Sequence, residues 1–368
     1  MFDRTRLKTK PLRMRKNRVR IGETAINPDA PAAPLPDRGA EDGVRQLADG
    51  IRAARNNEAP RILAFGAHAI KNGLGPLLIR LIEEAWISAL ATNGAGIIHD
   101  WELAYIGETS EDVRTNIALG EFGLWEETGK YLNLALNLGA WRGLGYGESV
   151  GAMTAQNGLD IPSECELLSA IEENLVSAPE KSAAACDLLE VVRQFELEPG
   201  KLHIKHRHVD HGVQAAAFRL GIAYTGHPMF GHDIIYTHPM SRGSAIGRTA
   251  ERDFLQFAAA IAEIESGVYL SVGSAVMSPM IFEKSFSMAT NIAVQDGKLI
   301  RDHRIFVVDL TPSSWNWQRD GEPPADDAAY YLRFLKTFSR MGGHMQYVPG
   351  DNRLILPRLY HLLKREER

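Results

Sequence analysis

Strand-like and helix-like segments alternate along most of the chain, and this alternation constrains the fold more than any other sequence feature. Short apolar runs typical of buried strands are separated by longer stretches with helical periodicity. Strands that are joined by single helices form parallel βαβ units, so the pattern predicts a doubly wound α/β fold with a mainly parallel sheet. The predicted strands are residues 61–66, 88–92, 222–225, 267–272, 305–309 and 345–348. The predicted helices are residues 74–85, 246–265, 279–294, 326–341 and 352–364.

The composition agrees with a globular protein and excludes collagen-like and wholly disordered chains. Of the 368 residues, 45% are hydrophobic and 24% are charged. Two cysteines, Cys165 and Cys186, are too few for a disulfide framework, which favours a reducing compartment. No apolar run reaches the roughly 18 residues of a membrane span, and no signal peptide is recognisable. We therefore predict a cytoplasmic protein without a membrane partner.

The charge is unevenly distributed. Residues 1–20 hold nine basic side chains and one acidic one, a net +8 that leaves −13 on the other 348 residues. An acidic body argues against a folded nucleic-acid-binding surface. Prolines crowd the following residues, so we predict a basic, proline-rich, disordered arm over residues 1–44 that docks on a neighbouring subunit. Residues 45–368 are predicted to form a single α/β domain.

The loops that follow the predicted strands are rich in glycine and polar residues. In parallel sheets ligands bind beyond the carboxyl ends of the strands, so these loops are candidate binding segments. Glycine in such turns lets the backbone approach a phosphate or a ribose, although a single loop of this kind is equally explained as a tight turn. No G-x-G-x-x-G follows the first strand. The candidate loops are residues 66–73, 93–102, 226–233, 273–275 and 350–352.

Three short motifs resemble the deoxyhypusine synthase family. The first is residues 92–96 (Thr-Asn-Gly-Ala-Gly), followed by two acids. The second is residues 267–274, an apolar strand that runs into a glycine-containing loop, and the third is residues 347–352 (Tyr-Val-Pro-Gly-Asp-Asn). Their order and spacing carry the resemblance. It implies a Rossmann-type fold that binds NAD, usually in a homotetramer with active sites between paired subunits.

The sequence departs from that family at the catalytic lysine, which lies in a Trp-Gly-Lys motif there. Arg333 stands at the comparable place, and Lys336 follows about one helical turn later. Arginine stays protonated and cannot form an imine, so which residue replaces the lysine stays open. Residues 92–102 are also similar to the NAD-dependent ornithine cyclodeaminase domain of bacterial arginine-degrading enzymes. Both resemblances imply a transferase or oxidoreductase that oxidises a small amine or amino acid to an imine.

The resemblance also assigns the cofactor. NAD would lie along the loops at the strand ends, and the protein would form a homo-oligomer, a dimer or a tetramer. The predicted cofactor-binding residues are Asn72, Thr92, Asn93, Gly94, Gly96, Gly273, Ser274, Asp351 and Asn352.

Amine oxidation needs an anion near the substrate ammonium and a base that accepts its proton. Asp100 and Glu102 follow a predicted strand and offer two carboxylates, and His99 offers a base with a suitable pKa. The alternative explanation for the two acids is that carboxylates are favoured at a helix N-terminus.

Three further residues are catalytic candidates by position. Lys71 follows the first strand and offers a cation for a substrate carboxylate or an amine of low pKa, unless it is an ordinary solvated lysine. His232 and Asp233 lie in the loop after residues 222–225. We predict that these two line the substrate side of the site.

The main alternative function is a metal-dependent hydrolase. Seven histidines lie between His203 and His238, and residues 206–211 match H-x-H-x-D-H, a zinc-binding string of metallo-β-lactamase-like hydrolases. The ordinary explanation is that Asp210 caps a helix over residues 212–220. A third possibility is a ligand-binding homologue without catalysis. We predict no metal site.

Overall fold

The computed structural model describes residues 2–365, and these form strands and helices along the whole range. The strands are β1 (Asn17–Arg20), β2 (Arg61–Phe65), β3 (Ala89–Asn93), β4 (Glu108–Glu111), β5 (Gly158–Ile161), β6 (Gly200–His203), β7 (Ala223–His227), β8 (Val268–Val272), β9 (Arg304–Asp309) and β10 (His344–Pro349). The helices are α1 (Ile21–Thr24), α2 (Arg38–Asn56), α3 (Ala67–Lys71), α4 (Gly75–Glu83), α5 (Gly94–Ile106), α6 (Val113–Ala118), α7 (Glu126–Arg142), α8 (Tyr146–Ala155), α9 (Glu164–Asn174), α10 (Pro179–Gln194), α11 (Val213–Leu220), α12 (Gly243–Ala262), α13 (Met277–Gln295), α14 (Trp317–Asp320), α15 (Arg333–Ser339) and α16 (Asn352–Arg365).

A six-stranded sheet with the order β10-β9-β8-β2-β3-β7 confirms the predicted α/β fold. The ladders of β10 with β9, β9 with β8, β8 with β2, and β2 with β3 are parallel. Leu63 of β2 stands opposite Leu90 on one side and Leu270 on the other. The last four residues of β2 and all of β8 are buried, which explains why these strands are apolar throughout rather than alternating.

The strand order reverses between β2 and β8. From β2 the sheet extends through β3 to β7 on one side, and from β8 through β9 to β10 on the other. In an open α/β sheet such a reversal leaves a crevice at the carboxyl ends of the two strands, where ligands bind. The fold therefore directs attention to the loops after β2 and β8.

The predicted helices agree with the observed ones except near residues 326–341. There a 3₁₀ turn covers Ala328–Tyr331, and α15 begins only at Arg333. Leu332, between them, has φ −76° and ψ 71°, which is not helical. Asp327 caps the 3₁₀ turn through Ala329, so the segment is two short elements rather than one helix.

The chain divides into two compact units. Unit 1 comprises residues 1–23, 97–219 and 225–253, and unit 2 comprises residues 24–96, 220–224 and 254–368. The apolar core of unit 2 includes Tyr269, Phe282 and Phe338, and that of unit 1 includes Trp101 and Tyr146. The sequence predicted a single domain over residues 45–368. Since each unit is assembled from separate stretches, no linker in the sequence marks a boundary.

The disordered arm predicted over residues 1–44 is corrected by the structure. β1 pairs with β4 in an antiparallel ladder, and Arg15 is buried within unit 1. α2 already begins at Arg38, where Asp37 accepts a hydrogen bond from the backbone of Ala40. The basic residues are ordered because acidic side chains distant in the sequence bind them. No helix among the described residues is long and apolar enough to span a membrane.

Candidate functional site

A cavity of about 190 Å³ lies in unit 2 at the reversal of strand order. It is formed by residues from the ends of β9 and β10 and by the turns after β2 and β8. Three predicted cofactor residues, Asn72, Gly273 and Asn352, are brought together there. The lining residues are His68, Asn72, Gly273, Val308, Asp309, Leu310, Gly350 and Asn352.

Two asparagines are joined across this cavity. The side-chain amide of Asn72, at the end of α3, donates a hydrogen bond of 2.9 Å to Oδ1 of Asn352, at the start of α16. Asn352 is 9% exposed. The bond joins the turn after β2 to the turn after β10, so it holds both sides of the cavity in place.

Glycine is required where the turns after β2 and β8 meet. A Cβ on Gly66 would lie 2.2 Å from the carbonyl oxygen of Gly273. Gly273 itself has φ +56°, a conformation that favours glycine, and the nearest atom to a Cβ there would be Nδ2 of Asn352 at 3.8 Å. The backbone at Gly273 is thus open towards the cavity, as an approaching cofactor requires.

The predicted cofactor residues after β3 have packing roles in the structure. The hydroxyl of Thr92 donates to the carbonyl of Phe65 over 2.8 Å, and Asn93 accepts a bond of 2.9 Å from the backbone of Gly96. A Cβ on Gly96 would lie 2.1 Å from Oγ1 of Thr92, so glycine lets α5 approach β3 closely. Gly94 is the first residue of α5.

Ser274 and Asp351 stabilise the turns beside the cavity. Oγ of Ser274 accepts a 3.2 Å bond from the backbone of Ser278, near the start of α13. Oδ1 of Asp351 accepts a 2.8 Å bond from the backbone of Arg353 in the first turn of α16. Neither residue lines the cavity, so both support the turns rather than the ligand surface.

Glu102, which the sequence predicted to be catalytic, forms a buried ion pair. Its two oxygens accept bonds of 2.8 and 2.6 Å from the guanidinium of Arg15, and both side chains are at most 2% exposed. Thr128 and Thr109 donate further bonds of 2.8 and 2.5 Å. Burial raises the pKa of Glu102, but Arg15, the charge of His99 and the hydrogen bond from Thr109 together outweigh it, so the pKa is lowered overall. A carboxylate with four donors has no place for a substrate ammonium.

Asp100, also predicted to be catalytic, caps a helix. Its oxygens accept bonds of 2.9 and 3.0 Å from the backbone of Val213 and Gln214, at the start of α11. Complete burial raises the pKa of Asp100 to about 7. The capping residue expected from the sequence was Asp210, but Asp100 takes that role.

His99 is oriented by a neighbouring hydroxyl. Its Nδ1 lies 2.7 Å from Oγ1 of Thr109, and the same hydroxyl donates to Glu102. His99 is partly exposed, unlike the two carboxylates beside it on α5. It therefore remains a candidate base.

His232 is exposed, whereas Asp233 is partly buried and belongs to a group of polar side chains in unit 1 whose polar atoms are buried. Oδ2 of Asp233 and the hydroxyl of Tyr236 are buried without a hydrogen-bond partner among the described residues. Burial raises the pKa of Asp233 to about 7. Burial, followed by the charges of Asp233, Tyr236 and Asp253, raises the pKa of Tyr146. Buried groups with shifted pKa values are typical of functional sites.

Asp253, a residue that the sequence analysis did not identify, anchors this group. Its Oδ2 accepts bonds of 2.8 Å from the backbone of Gly147 and 2.6 Å from that of Gly226. Oδ1 has no partner among the described residues, and a Cβ on Gly145 would lie 1.8 Å from it. Asp253 lies within the predicted helix 246–265, where nothing local distinguishes it from a surface acid.

Lys71 and His68 lie on the short helix α3 beside the cavity. Partial burial lowers the pKa of Lys71. Partial burial and then the charge of Lys71 lower the pKa of His68, which lines the cavity. The sequence analysis missed His68 although it lies in a candidate loop. Asp309 was also missed, and its position at the end of a predicted strand was the available signal.

The histidine-rich segment does not gather into a metal site among the described residues. Nε2 of His206 accepts a bond of 3.0 Å from the indole of Trp101, and burial lowers the pKa of His206 to about 4.

Farther along the chain, the ammonium of Lys336 lies 3.4 Å from the ring centre of Tyr330.

No protein-family model matches the chain, and no curated protein matches it in sequence. Three solved structures show a distant likeness. AgrE in ternary complex with ornithine and NAD⁺ has 15% identity, covers 90% of this chain and 34% of its own, and gives a TM-score of 0.46. ArgZ, an arginine dihydrolase from the ornithine–ammonia cycle in Cyanobacteria, has 15% identity, covers 90% and 32%, and gives 0.44. A putative deoxyhypusine synthase from Entamoeba histolytica has 11% identity, covers 89% of both chains, and gives 0.39.

The chain thus spans about a third of the length of AgrE and ArgZ. AgrE and a putative deoxyhypusine synthase are both among the structures that show this distant likeness. The likeness concerns the α/β fold alone.

Proposed function

We propose that the protein is an NAD-dependent enzyme that acts on a small amine or amino acid, with its cofactor held in the cavity of unit 2. The observation that carries the proposal is that Asn72, Gly273 and Asn352, predicted separately from the sequence, line one cavity at the reversal of strand order. Ligands bind at this position in doubly wound sheets. The resemblance of the motifs to NAD-binding families points to the same cofactor.

The cavity fits one part of a dinucleotide. Its volume of about 190 Å³ is below the roughly 300–1,000 Å³ of typical small-molecule pockets, so it would hold one nucleoside half. The open backbone at Gly273 and the amides of Asn72 and Asn352 would face the ribose and phosphate. Asp309 would accept hydrogen bonds from ribose hydroxyls, as acids at strand ends do in dinucleotide-binding folds. A carboxylate there would disfavour the additional phosphate of NADP.

The reaction needs a proton acceptor from the chain. When bound, NAD would accept a hydride from the carbon next to the substrate nitrogen. Asp233, whose pKa burial raises to about 7, and His99, held through Nδ1 by Thr109, remain proposed catalytic residues of unit 1. His232 and Lys71 remain proposed substrate-binding groups, and a cytoplasmic homo-oligomer remains the proposed setting.

The proposal is tested by NAD binding to the full chain, measured by calorimetry, with two matched glycine variants. Gly273→Ala places a methyl group in the cavity at φ +56°. Gly297→Ala introduces the same backbone strain at φ +70°, where no atom lies within 4 Å of the new Cβ. We expect wild type and Gly297→Ala to bind NAD equally, Gly273→Ala to bind at least tenfold more weakly, and NADP to bind more weakly than NAD.

Catalysis is tested with a panel of small amines and amino acids, including ornithine, by following both NADH formation and consumption of the amine, since a reaction that returns the hydride leaves no net NADH. Turnover that Asp233→Asn reduces at least a hundredfold would support the enzyme and its base. NAD binding without turnover of any amine would instead identify a ligand-binding homologue. Absence of NAD binding to wild type would exclude the cofactor assignment.

A further inference from the structure

A second cavity, of about 320 Å³, lies in unit 2 at the opposite edge of the sheet. Arg304 and His344 are the first residues of β9 and β10 and are partners in the parallel ladder. The cavity is therefore at the amino ends of these strands. Asp309, in the candidate cofactor cavity, ends the same strand β9, about 17 Å away at roughly 3.3 Å per residue. The lining residues are Gln46, Asp49, Arg304, Phe306, Gln318, His344 and Gln346.

Two glycines let α2 lie close over this part of the sheet. A Cβ on Gly50 would lie 3.4 Å from Cδ and Nη1 of Arg304. A Cβ on Gly43 would lie 2.9 Å from Cγ2 of Val348 and 3.2 Å from Nε2 of Gln346. Larger residues at either position would displace the side chains beneath the helix. The two glycines thus shape the wall of the cavity that α2 provides.

The lining combines one uncompensated cation with several amides. Arg304 is exposed to solvent, and no ion pair or hydrogen bond joins its guanidinium to another described residue. Asp49, the one acid in the lining, is paired with Arg52 at 2.9 Å. Carboxamides of the lining glutamines supply both donors and acceptors. A guanidinium binds a carboxylate through two parallel hydrogen bonds, so the cavity suits an anionic ligand with further polar groups.

We propose that this cavity binds a small carboxylate that carries other hydrogen-bonding groups, of the class of a free amino acid. Its volume lies within the usual range for small-molecule sites. Arg304 would bind the carboxylate, and the amides of Gln46, Gln318 and Gln346 would bind the remaining polar groups. The site is separate from the proposed cofactor cavity, and its occupation does not depend on the proposed reaction.

The test titrates the full chain, without NAD, with each of the twenty amino acids, using calorimetry at physiological salt. We expect at least one amino acid to bind, and its amide, which lacks the carboxylate, not to bind. Arg304→Gln should weaken binding at least tenfold. Arg301→Gln removes a neighbouring exposed arginine outside the lining and should leave binding unchanged.

A second variant guards against indirect effects of the first. Gln346→Glu keeps the shape of the side chain but adds a negative charge, and it should weaken binding by a similar factor. An amino acid that binds wild type and Arg304→Gln equally would occupy another site, such as the proposed active site, and would overturn the proposal. Absence of binding by all twenty would overturn it as well. Unchanged NAD affinity in Arg304→Gln would show that the two cavities are distinct.

Discussion

At the scale of single residues, the acids of α5 show what local sequence does not reveal. Asp100 and Glu102 follow a buried strand and resemble exposed anions at the mouth of a site. Their partners lie far away in the sequence: Arg15 is 87 residues from Glu102, and Val213 is 113 residues from Asp100. Only the fold brings these donors to the carboxylates. Asn72, Gly273 and Asn352 were predictable because each lies in a loop segment that the sequence places after a strand.

The buried pair of Arg15 and Glu102 leads to a stability prediction. Glu102→Gln leaves the guanidinium of Arg15 buried without a counter-charge, so we expect the free energy of unfolding to fall by about 3–5 kcal/mol. Arg15→Met should cost a similar amount, because it leaves the carboxylate unpaired. The double variant should lose less than the two single losses added together. Urea unfolding followed by circular dichroism measures all three.

An exposed pair in the same region provides the control. Arg18 binds Asp112, and the side chain of Arg18 is 63% exposed. Removing an exposed ion pair costs about 0–1 kcal/mol, so Arg18→Met should change stability little. Equal losses in Arg15→Met and Arg18→Met would contradict the structural role assigned to the buried pair.

At the scale of elements, the strands of the central sheet and the helices that connect them were predictable from the sequence. The structure of the N-terminal segment was not. β2 and β8 are short, largely apolar runs that are each followed by a glycine, a signal contained within a few residues. β1 has no such signal, because its sequence Asn-Arg-Val-Arg is mostly polar. It becomes a strand by pairing with β4, with Val19 opposite Thr109. Composition therefore suggested disorder where long-range pairing produces order.

Limited trypsin digestion distinguishes an ordered N-terminal segment from a disordered one. Residues 1–20 contain nine lysines and arginines, of which all but Lys10, which precedes a proline, are sites for trypsin, and a disordered segment would be cleaved rapidly. Because β1 is paired and Arg15 is buried, we expect cleavage after Arg15 and Arg18 to be at least tenfold slower than in a synthetic peptide of residues 1–20. Mass spectrometry of timed samples measures both rates. Equal rates would show that the segment is disordered in solution.

At the scale of the whole molecule, the charge asymmetry of the sequence is resolved within the chain. The basic N-terminal residues bind acids of unit 1: Lys10 binds Glu121, Arg18 binds Asp112, and Arg20 lies 3.2 Å from Glu108. A neighbouring subunit is therefore not required to explain the basic segment. In unit 2, the candidate cavities lie at opposite edges of one sheet, which separates the proposed cofactor from the second proposed ligand.

Hydrogen exchange of the full chain with and without NAD tests this separation. Binding at the carboxyl ends of the strands orders the turns that contact the ligand and slows exchange of their amides. We expect protection at residues 66–73, 273–275, 309–311 and 350–353, with no change at residues 304–306 and 344–346. The Gly273→Ala protein should lose this protection at the same NAD concentration, whereas Gly297→Ala should keep it. Protection confined to the amino ends of the strands would place NAD in the cavity of Arg304. It would contradict both the cofactor assignment and the amino-acid assignment. Protection at the carboxyl edge alone would leave the Arg304 cavity available for a ligand of its own.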